Sequence, residues 1–324
     1  MPQNKSIVIW LSLCILLLYA IILVGGYTRL THSGLSITEW KPVTGIIPPL
    51  DNFQWQKEFE LYKASPEYKK INYGITLEEF KGIFLTEYWH RILGRLLGLS
   101  FLLPLLYFSI RKKLKFYDQK YLSSVLILIG VQGFIGWFMV KSGLIDNPNV
   151  SQYRLALHLF MACIILTLLV WYLTPGKPTK SKYAYFSFSL LFLQIISGSL
   201  VAGLKAGLVY NSFPLMDEHI IPQGLMQLHP WYLNFFENII NVQFMHRLLG
   251  VINLINILAY SYKIFKLDEK SKISIILGGF VSIQFALGIF TLILQVPLLL
   301  GLMHQAMAIL VLTIMVISLK IKGK

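Results

Sequence analysis

The chain has 324 residues, 56% hydrophobic and 14% charged, with a formal net charge of +14 and a mean hydropathy of +0.63. Charged residues are about half as frequent as in an average soluble domain, which excludes an ordinary soluble globule and points to an integral membrane protein. The positive charge follows from lysine and arginine around the spans described next, so a nucleic-acid partner is not needed to explain it.

Apolar runs of spanning length, about 20 residues each, are predicted at Ile7–Gly26, Tyr88–Ile110, Tyr121–Val140, Leu155–Leu173, Tyr185–Leu204, Val242–Tyr262, Ile273–Leu294 and Gly301–Lys320. The first is too long for a signal peptide, and Tyr27-Thr28-Arg29-Leu30 follows it in place of a small-residue cleavage site, so it is read as a helix. Basic residues in short loops stay on the cytoplasmic side. Here they cluster at Arg111-Lys112-Lys113-Leu114-Lys115, at Lys177, Lys180 and Lys182, and at Lys263, Lys266, Lys270 and Lys272. Lys5 near the start and Lys320, Lys322 and Lys324 at the end agree. The expected topology has both termini cytoplasmic and the long loops 27–87 and 205–241 outside. Cys14 and Cys163 fall inside spans, where they read as small apolar core residues.

The sequence repeats itself. His90-Arg91-Ile92-Leu93-Gly94 is matched by His246-Arg247-Leu248-Leu249-Gly250, and His158-Leu159-Phe160-Met161-Ala162 by His304-Gln305-Ala306-Met307-Ala308. Gln132 and Gly136 correspond to Gln284 and Gly288, and Ser33-Gly34-Leu35 to Ala206-Gly207-Leu208. The expected fold is therefore all-α, with eight transmembrane helices as two tandem pseudo-symmetric four-helix bundles: 1–183, carrying the long outer loop 27–87, and 184–324. Each copy has an even number of spans, so the two are parallel repeats about an axis along the membrane normal.

This arrangement puts His90 with His158 in one bundle and His246 with His304 in the other, all toward the outer side. Ionisable residues in spans are costly and tend to be functional. Two imidazoles from facing helices suit axial ligation of a haem, so one porphyrin site is predicted per half. Arg91 and Arg247 suit haem propionates, the competing role being an interfacial anchor. Gly94, Gly98 and Gly250 fit close approach of a macrocycle, with plain helix packing the simpler expectation. Zinc is the weaker alternative, because tetrahedral closure normally adds thiolates or carboxylates.

Glu87 stands one turn before His90, whereas Gln243 holds the aligned place before His246. A site that only holds a cofactor does not need the acid, but one that moves protons does. The N-terminal bundle is therefore expected to be reactive and the C-terminal one to hold a permanent haem. The alternative for Glu87 is a carboxylate at a helix N-terminus, with Thr86 as the cap.

With these residues in view, the chain resembles the heme A synthase family over nearly its whole length. The resemblance is carried by Gly25-Gly26, Thr28-Arg29-Leu30-Thr31, the loop Gly34-Leu35-Ser36-Ile37-Thr38-Glu39-Trp40-Lys41-Pro42, Glu87 with His90-Arg91, His158, Tyr210-Asn211-Ser212-Phe213-Pro214-Leu215-Met216, His246-Arg247 and His304. It implies oxidation of the C8 methyl of heme O to a formyl group, giving heme A for cytochrome oxidase. It also implies that His246 and His304 ligate a heme b cofactor, that His90 and His158 face the heme O iron, and that Glu87 assists the chemistry. The implied partners are heme O synthase, a protohaem farnesyltransferase, and an electron acceptor. The implied location is the inner (cytoplasmic) membrane. The outer loops hold no cysteine, so the chain resembles the branch typical of mitochondria and related bacteria, and a loop thiol pair has no part here.

His32, His219 and His229 have no repeat partners and are expected to be surface or loop-ordering residues. The stretches Phe53–Tyr62 and Leu77–Phe84 read as amphipathic helices lying over the outer mouth. Lys41, Lys205 and Asp217 are candidate propionate contacts, with solvated loop charge the simpler expectation. Two other readings remain: a dihaem electron-transfer cytochrome, which gives Glu87 no role, and a repeat-built transporter. For the transporter, Pro104 is the one notable helix breaker.

Overall fold

The computed structural model describes residues 4–41, 44–143, 148–267 and 272–320. Pro42, Lys270, Lys322 and Lys324 lie outside them. The helices are α1 (Lys5–Leu30), α2 (Asn52–Lys63), α3 (Pro66–Lys70), α4 (Leu77–Ile110), α5 (Phe116–Gly143), α6 (Gln152–Leu173), α7 (Lys182–Gly203), α8 (Ile239–Leu267), α9 (Lys272–Ile293) and α10 (Leu298–Ser318), with 3₁₀ turns at Ala206–Leu208 and Trp231–Phe235. All but α2 and α3 are long and apolar enough to cross a membrane, giving eight spans among the described residues, in the predicted order. Large apolar side chains such as Ile9, Leu13, Leu103, Ile127, Ile255 and Ile275 point outward. In water that would be a liability; on a membrane-spanning bundle it is the lipid-facing surface.

The chain forms two compact units, residues 5–165 and the residues from Leu166 on. In the first, α1 lies along α4, and α4 packs on α5. Pro104 inside α4 lacks the N–H that would bond Ser100 one turn earlier. That carbonyl is taken instead by Trp10 Nε1 of α1 at 2.8 Å. Trp10→Phe is therefore expected to leave the Ser100 carbonyl with only the weak Cys14 Sγ donor at 3.8 Å, at a cost toward the lower end of about 1–3 kcal/mol for an unmet buried acceptor. Adding Pro104→Ala, which restores the N–H, should recover part of the loss; thermal unfolding of the three variants in detergent checks this.

Two expectations for the outer loop need correction. Leu77–Phe84 is not a separate helix lying across the mouth but the first turns of α4, opened by a reciprocal capping box between Thr76 and Glu79. Thr86 is consequently mid-helix, its hydroxyl donating to the Gly82 carbonyl at 2.9 Å, and it caps nothing. Phe53–Tyr62 does form α2, started by Asp51, whose carboxylate accepts from Gln54 N at 2.8 Å. The aromatic rings of Phe59 and Tyr62 then stack on Phe80 of α4 at 5.0 and 5.1 Å. With Phe84 and Tyr88 they form a buried cluster that fastens the outer loop to the outer turns of α4.

In the second unit α7, α8, α9 and α10 pack in a closed ring, each against the next and α10 against α7. Tyr183 OH donates to the Asn256 carbonyl at 3.0 Å, and Tyr260 OH lies 3.2 Å from Ser318 Oγ. Lys320 Nζ donates to the Trp171 and Thr174 carbonyls at the end of α6. These bonds satisfy polar groups that lipid cannot.

Candidate functional site

The four repeat histidines lie about two turns inside α6, α8 and α10 and further along α4, so they line the bundles instead of capping helices. His158 lies near enough to His90, and His246 to His304, for their charges to interact. Each ring rests edge-on against a glycine of the preceding membrane helix. A Cβ added at Gly25 would stand 3.0 Å from His90 Cε1, at Gly136 3.0 Å from His158 Cε1, at Gly198 3.1 Å from His246 Cε1, and at Gly288 2.8 Å from His304 Cε1. Only glycine lets an imidazole approach the backbone that closely, so each ring is seated by its neighbour.

One turn before three of these glycines stands a glutamine, on the same helix face. Gln132 Nε2 donates to the His158 carbonyl at 3.1 Å and lies 3.4 Å from its Nε2. Gln194 Nε2 donates to the His246 carbonyl at 3.1 Å and lies 3.2 Å from its Nδ1, while Ser197 Oγ is 2.8 Å from the same Nδ1. Gln284 Nε2 lies 3.5 Å from His304 Nε2. In α1 the corresponding residue is Ile21. The Gln132/Gly136 and Gln284/Gly288 match is visible in the repeat; Gln194 and Gly198 are not singled out there, and Gly25 stands only in the Gly25-Gly26 motif, not as a seat for His90. The signal was Gln-x-x-x-Gly three times over, with Ile-x-x-x-Gly in the first helix.

Glu87 is buried and its carboxylate meets five donors. Oε2 accepts from Ser36 N at 2.8 Å, Ser36 Oγ at 2.7 Å and Ile37 N at 3.0 Å; Oε1 accepts from Arg91 Nε at 3.1 Å and Nη2 at 2.6 Å. Arg91 Nη2 also donates to the Ile37 carbonyl at 3.2 Å. In the other half, Gln243 Nε2 and Arg247 Nη2 both donate to the Tyr210 carbonyl, at 3.0 and 2.7 Å, and Arg247 Nη1 donates to Ser212 O at 2.7 Å. The His-Arg pair is thus one device used twice: the histidine faces the bundle and the arginine grips the loop outside it. Arg247 Nε remains buried with no hydrogen-bond partner among the described residues.

Among the remaining candidates, Lys41 Nζ pairs with Glu39 at 2.7 Å and Glu58 at 3.2 Å, a loop contact. Lys205 and Asp217 adopt left-handed backbone, ending α7 and turning the second outer loop, and His32 does the same just after α1. His219 and His229 are exposed in the second loop. Among the described residues nothing would come within 4 Å of a Cβ at Gly94 or Gly98, so helix packing there does not account for them; at Gly250 the nearest atom would be Gln194 Nε2 at 3.5 Å.

Glu67, beneath α2, is the other buried acid. It accepts from Tyr62 OH at 3.1 Å, and Tyr62 OH in turn accepts from Asn72 Nδ2 at 2.8 Å. Burial pushes its carboxyl up from 4.5 to about 7, with Glu87 adding to the rise and the Tyr62 bond opposing it. The folded loop then holds this proton more tightly than the unfolded loop does. Its contribution is fully present below about pH 4.5 and is lost as pH rises through about 7. Hydrogen exchange of residues 59–72 is expected to quicken over that window, and Glu67→Gln should flatten the profile.

A haem is the group to test against these residues. His90, His158 and His304 each keep a buried Nδ1 without a partner, and the Arg247 Nε beside His246 adds an unspent buried cation donor. Among the described residues no three His, Cys, Asp or Glu side chains gather. The donor set is thus two imidazoles per bundle, which suits axial ligation of a macrocyclic iron and falls short of a closed tetrahedral zinc site.

Residues 8–316 match the family model described as cytochrome oxidase assembly protein. The heme A synthase of Nitrosospira multiformis is 45% identical, with the alignment spanning 96% of this chain and 91% of that protein. The heme A synthase of the Wolbachia pipientis strain from Culex pipiens is 44% identical over 94% and 93%. The heme A synthase of Neorickettsia sennetsu is 44% identical over 97% and 98%. End-to-end likeness at this level, together with the paired histidines, leaves one conclusion: the chain belongs to the heme A synthase family of cytochrome oxidase assembly proteins.

Proposed function

We propose that this protein makes heme A for cytochrome oxidase by stepwise oxidation of the C8 methyl of heme O to a formyl group. The observation that carries the reading is the repeated histidine seated on glycine, present twice in each half. His246 and His304 would hold a heme b cofactor, with Arg247 Nε available to a propionate; His90 and His158 would receive the iron of heme O. Residues 1–183 are accordingly assigned to the substrate and 184–324 to the cofactor. A bound heme b supplies one-electron redox chemistry. The chain's own residues position the substrate: glycines fix the rings, and Arg91 with Glu87 holds the Ser36–Glu39 strand of the outer loop at the mouth. Oxidising a methyl also releases protons. Glu87, the carboxylate that has only Gln243 as its counterpart, is assigned to their passage.

The basic loops support a topology with both termini in the cytoplasm, and the protein is assigned to the inner (cytoplasmic) membrane, where heme O synthase would deliver substrate and an external acceptor would take the electrons. The test is haem extraction and chromatography of membranes from cells that supply heme O. Wild type should yield heme A, and Glu87→Gln should retain heme b while heme O or a partly oxidised haem accumulates. If wild type holds haem yet yields no heme A under functional redox conditions, the protein is an electron-transfer cytochrome and the enzyme reading is lost.

A further inference from the structure

His90 and His246 occupy equivalent places in the two halves, yet their surroundings differ. His246 Nδ1 has Ser197 Oγ at 2.8 Å and Gln194 Nε2 at 3.2 Å. His90 Nδ1 is buried and has no hydrogen-bond partner among the described residues. The difference traces to two positions on the helix that seats the ring: where α7 carries Gln194 and Ser197 before Gly198, α1 carries Ile21 and Val24 before Gly25. The glycines downstream of the histidines agree, since a Cβ at Gly250 would meet Gln194 Nε2 whereas one at Gly94 would meet nothing.

An acceptor for the free ring N–H fixes the tautomer and orientation of a ligating histidine and strengthens it as a ligand; its loss typically costs about 10–100-fold in affinity. Ser197 Oγ, whose own proton goes to the Gln194 carbonyl at 2.9 Å, can accept from His246 Nδ1–H, while Gln194 Nε2 donates to the His246 carbonyl at 3.1 Å and holds the residue in place. A cofactor has to stay bound, while a product has to leave. We propose that Ile21 and Val24 make His90 the exchangeable axial ligand, and that Gln194 and Ser197 make His246 the retentive one. This rests on the haem reading above. It assigns Ile21, Val24, Gln194 and Ser197 as positioning residues that decide which half releases its haem.

The test uses the purified full chain in detergent, loaded with heme b at both sites, and follows haem transfer to excess apomyoglobin. Wild type should release haem in a fast and a slow phase, the fast one abolished by His90→Ala. Ile21→Gln/Val24→Ser should slow the fast phase about 10–100-fold, and Gln194→Ile/Ser197→Val should quicken the slow phase by a similar factor. Ile21→Met, which changes shape without adding a donor or acceptor, should leave both phases within about threefold. The proposal is overturned if wild type shows one phase only. It is equally overturned if the Ile21→Gln/Val24→Ser fast phase is unchanged while an unaltered slow phase shows the protein folded. A wild type that takes up no haem would instead sink the haem reading itself.

Discussion

Glu87→Ala is expected to free the outer loop from the first bundle at a cost of about 3–5 kcal/mol, the range for removing one partner of a buried ion pair. The substitution deletes the acceptor for Ser36 N, Ser36 Oγ, Ile37 N and two Arg91 nitrogens together. Ser36 Oγ keeps the Ser33 and Ile83 carbonyls and Arg91 keeps those of Ile37 and Glu39, but all of these are neutral, and the Ser36 and Ile37 amides lose the carboxylate they share. Glu87→Gln keeps the shape but turns one acceptor into a donor facing donors, so about 1–3 kcal/mol is expected. Hydrogen exchange at residues 33–39 reads both, with Ala faster than Gln and Gln faster than wild type. Gln243→Ala should do less in the second half, because Arg247 independently bonds Tyr210 and Ser212. Equal protection of residues 33–39 in all three Glu87 forms would mean that the aromatic cluster around Phe80, and not the carboxylate, holds the loop.

The parts of this fold that were legible in the sequence are those the membrane imposes. A span must be apolar over a fixed length, and the eight runs came through with only their ends displaced. The repeated histidines were legible because duplication displays the same residue twice at aligned positions. What stayed hidden depended on long-range partners. Glu87 showed its asymmetry with Gln243, but its role as a clamp requires Ser36, 51 positions away. Gln194 sits in a span where the nearest other polar residues are serines, and the histidine it serves lies 52 residues on. The misplaced start of α4 had a different cause. Thr76-Leu77-Glu78-Glu79 carries the capping-box spacing, whereas Thr86 has Trp89 three residues later, so the boundary was readable from the acid and not from the threonine.

Gly288→Ala is expected to be the most damaging of the four seat substitutions, because its added methyl would stand 2.8 Å from His304 Cε1, against 3.0–3.1 Å at the other three. Either the ring rotates away from its pair or α9 moves off α10, and overpacking of this kind costs about 1–3 kcal/mol. Under the haem reading, the sharper consequence is spectroscopic. Heme b should be lost or should change its axial absorption signature, while thermal stability falls only modestly. Gly279→Ala, on the same helix but with nothing within 4 Å of the added methyl, is the matched control. It should leave the spectrum alone and gain about 0.5–1 kcal/mol from helix propensity. A seat acts on the ring, whereas a packing contact acts on the helix. Loss of stability without spectral change in Gly288→Ala would therefore reassign the glycine to helix packing and remove it from the site.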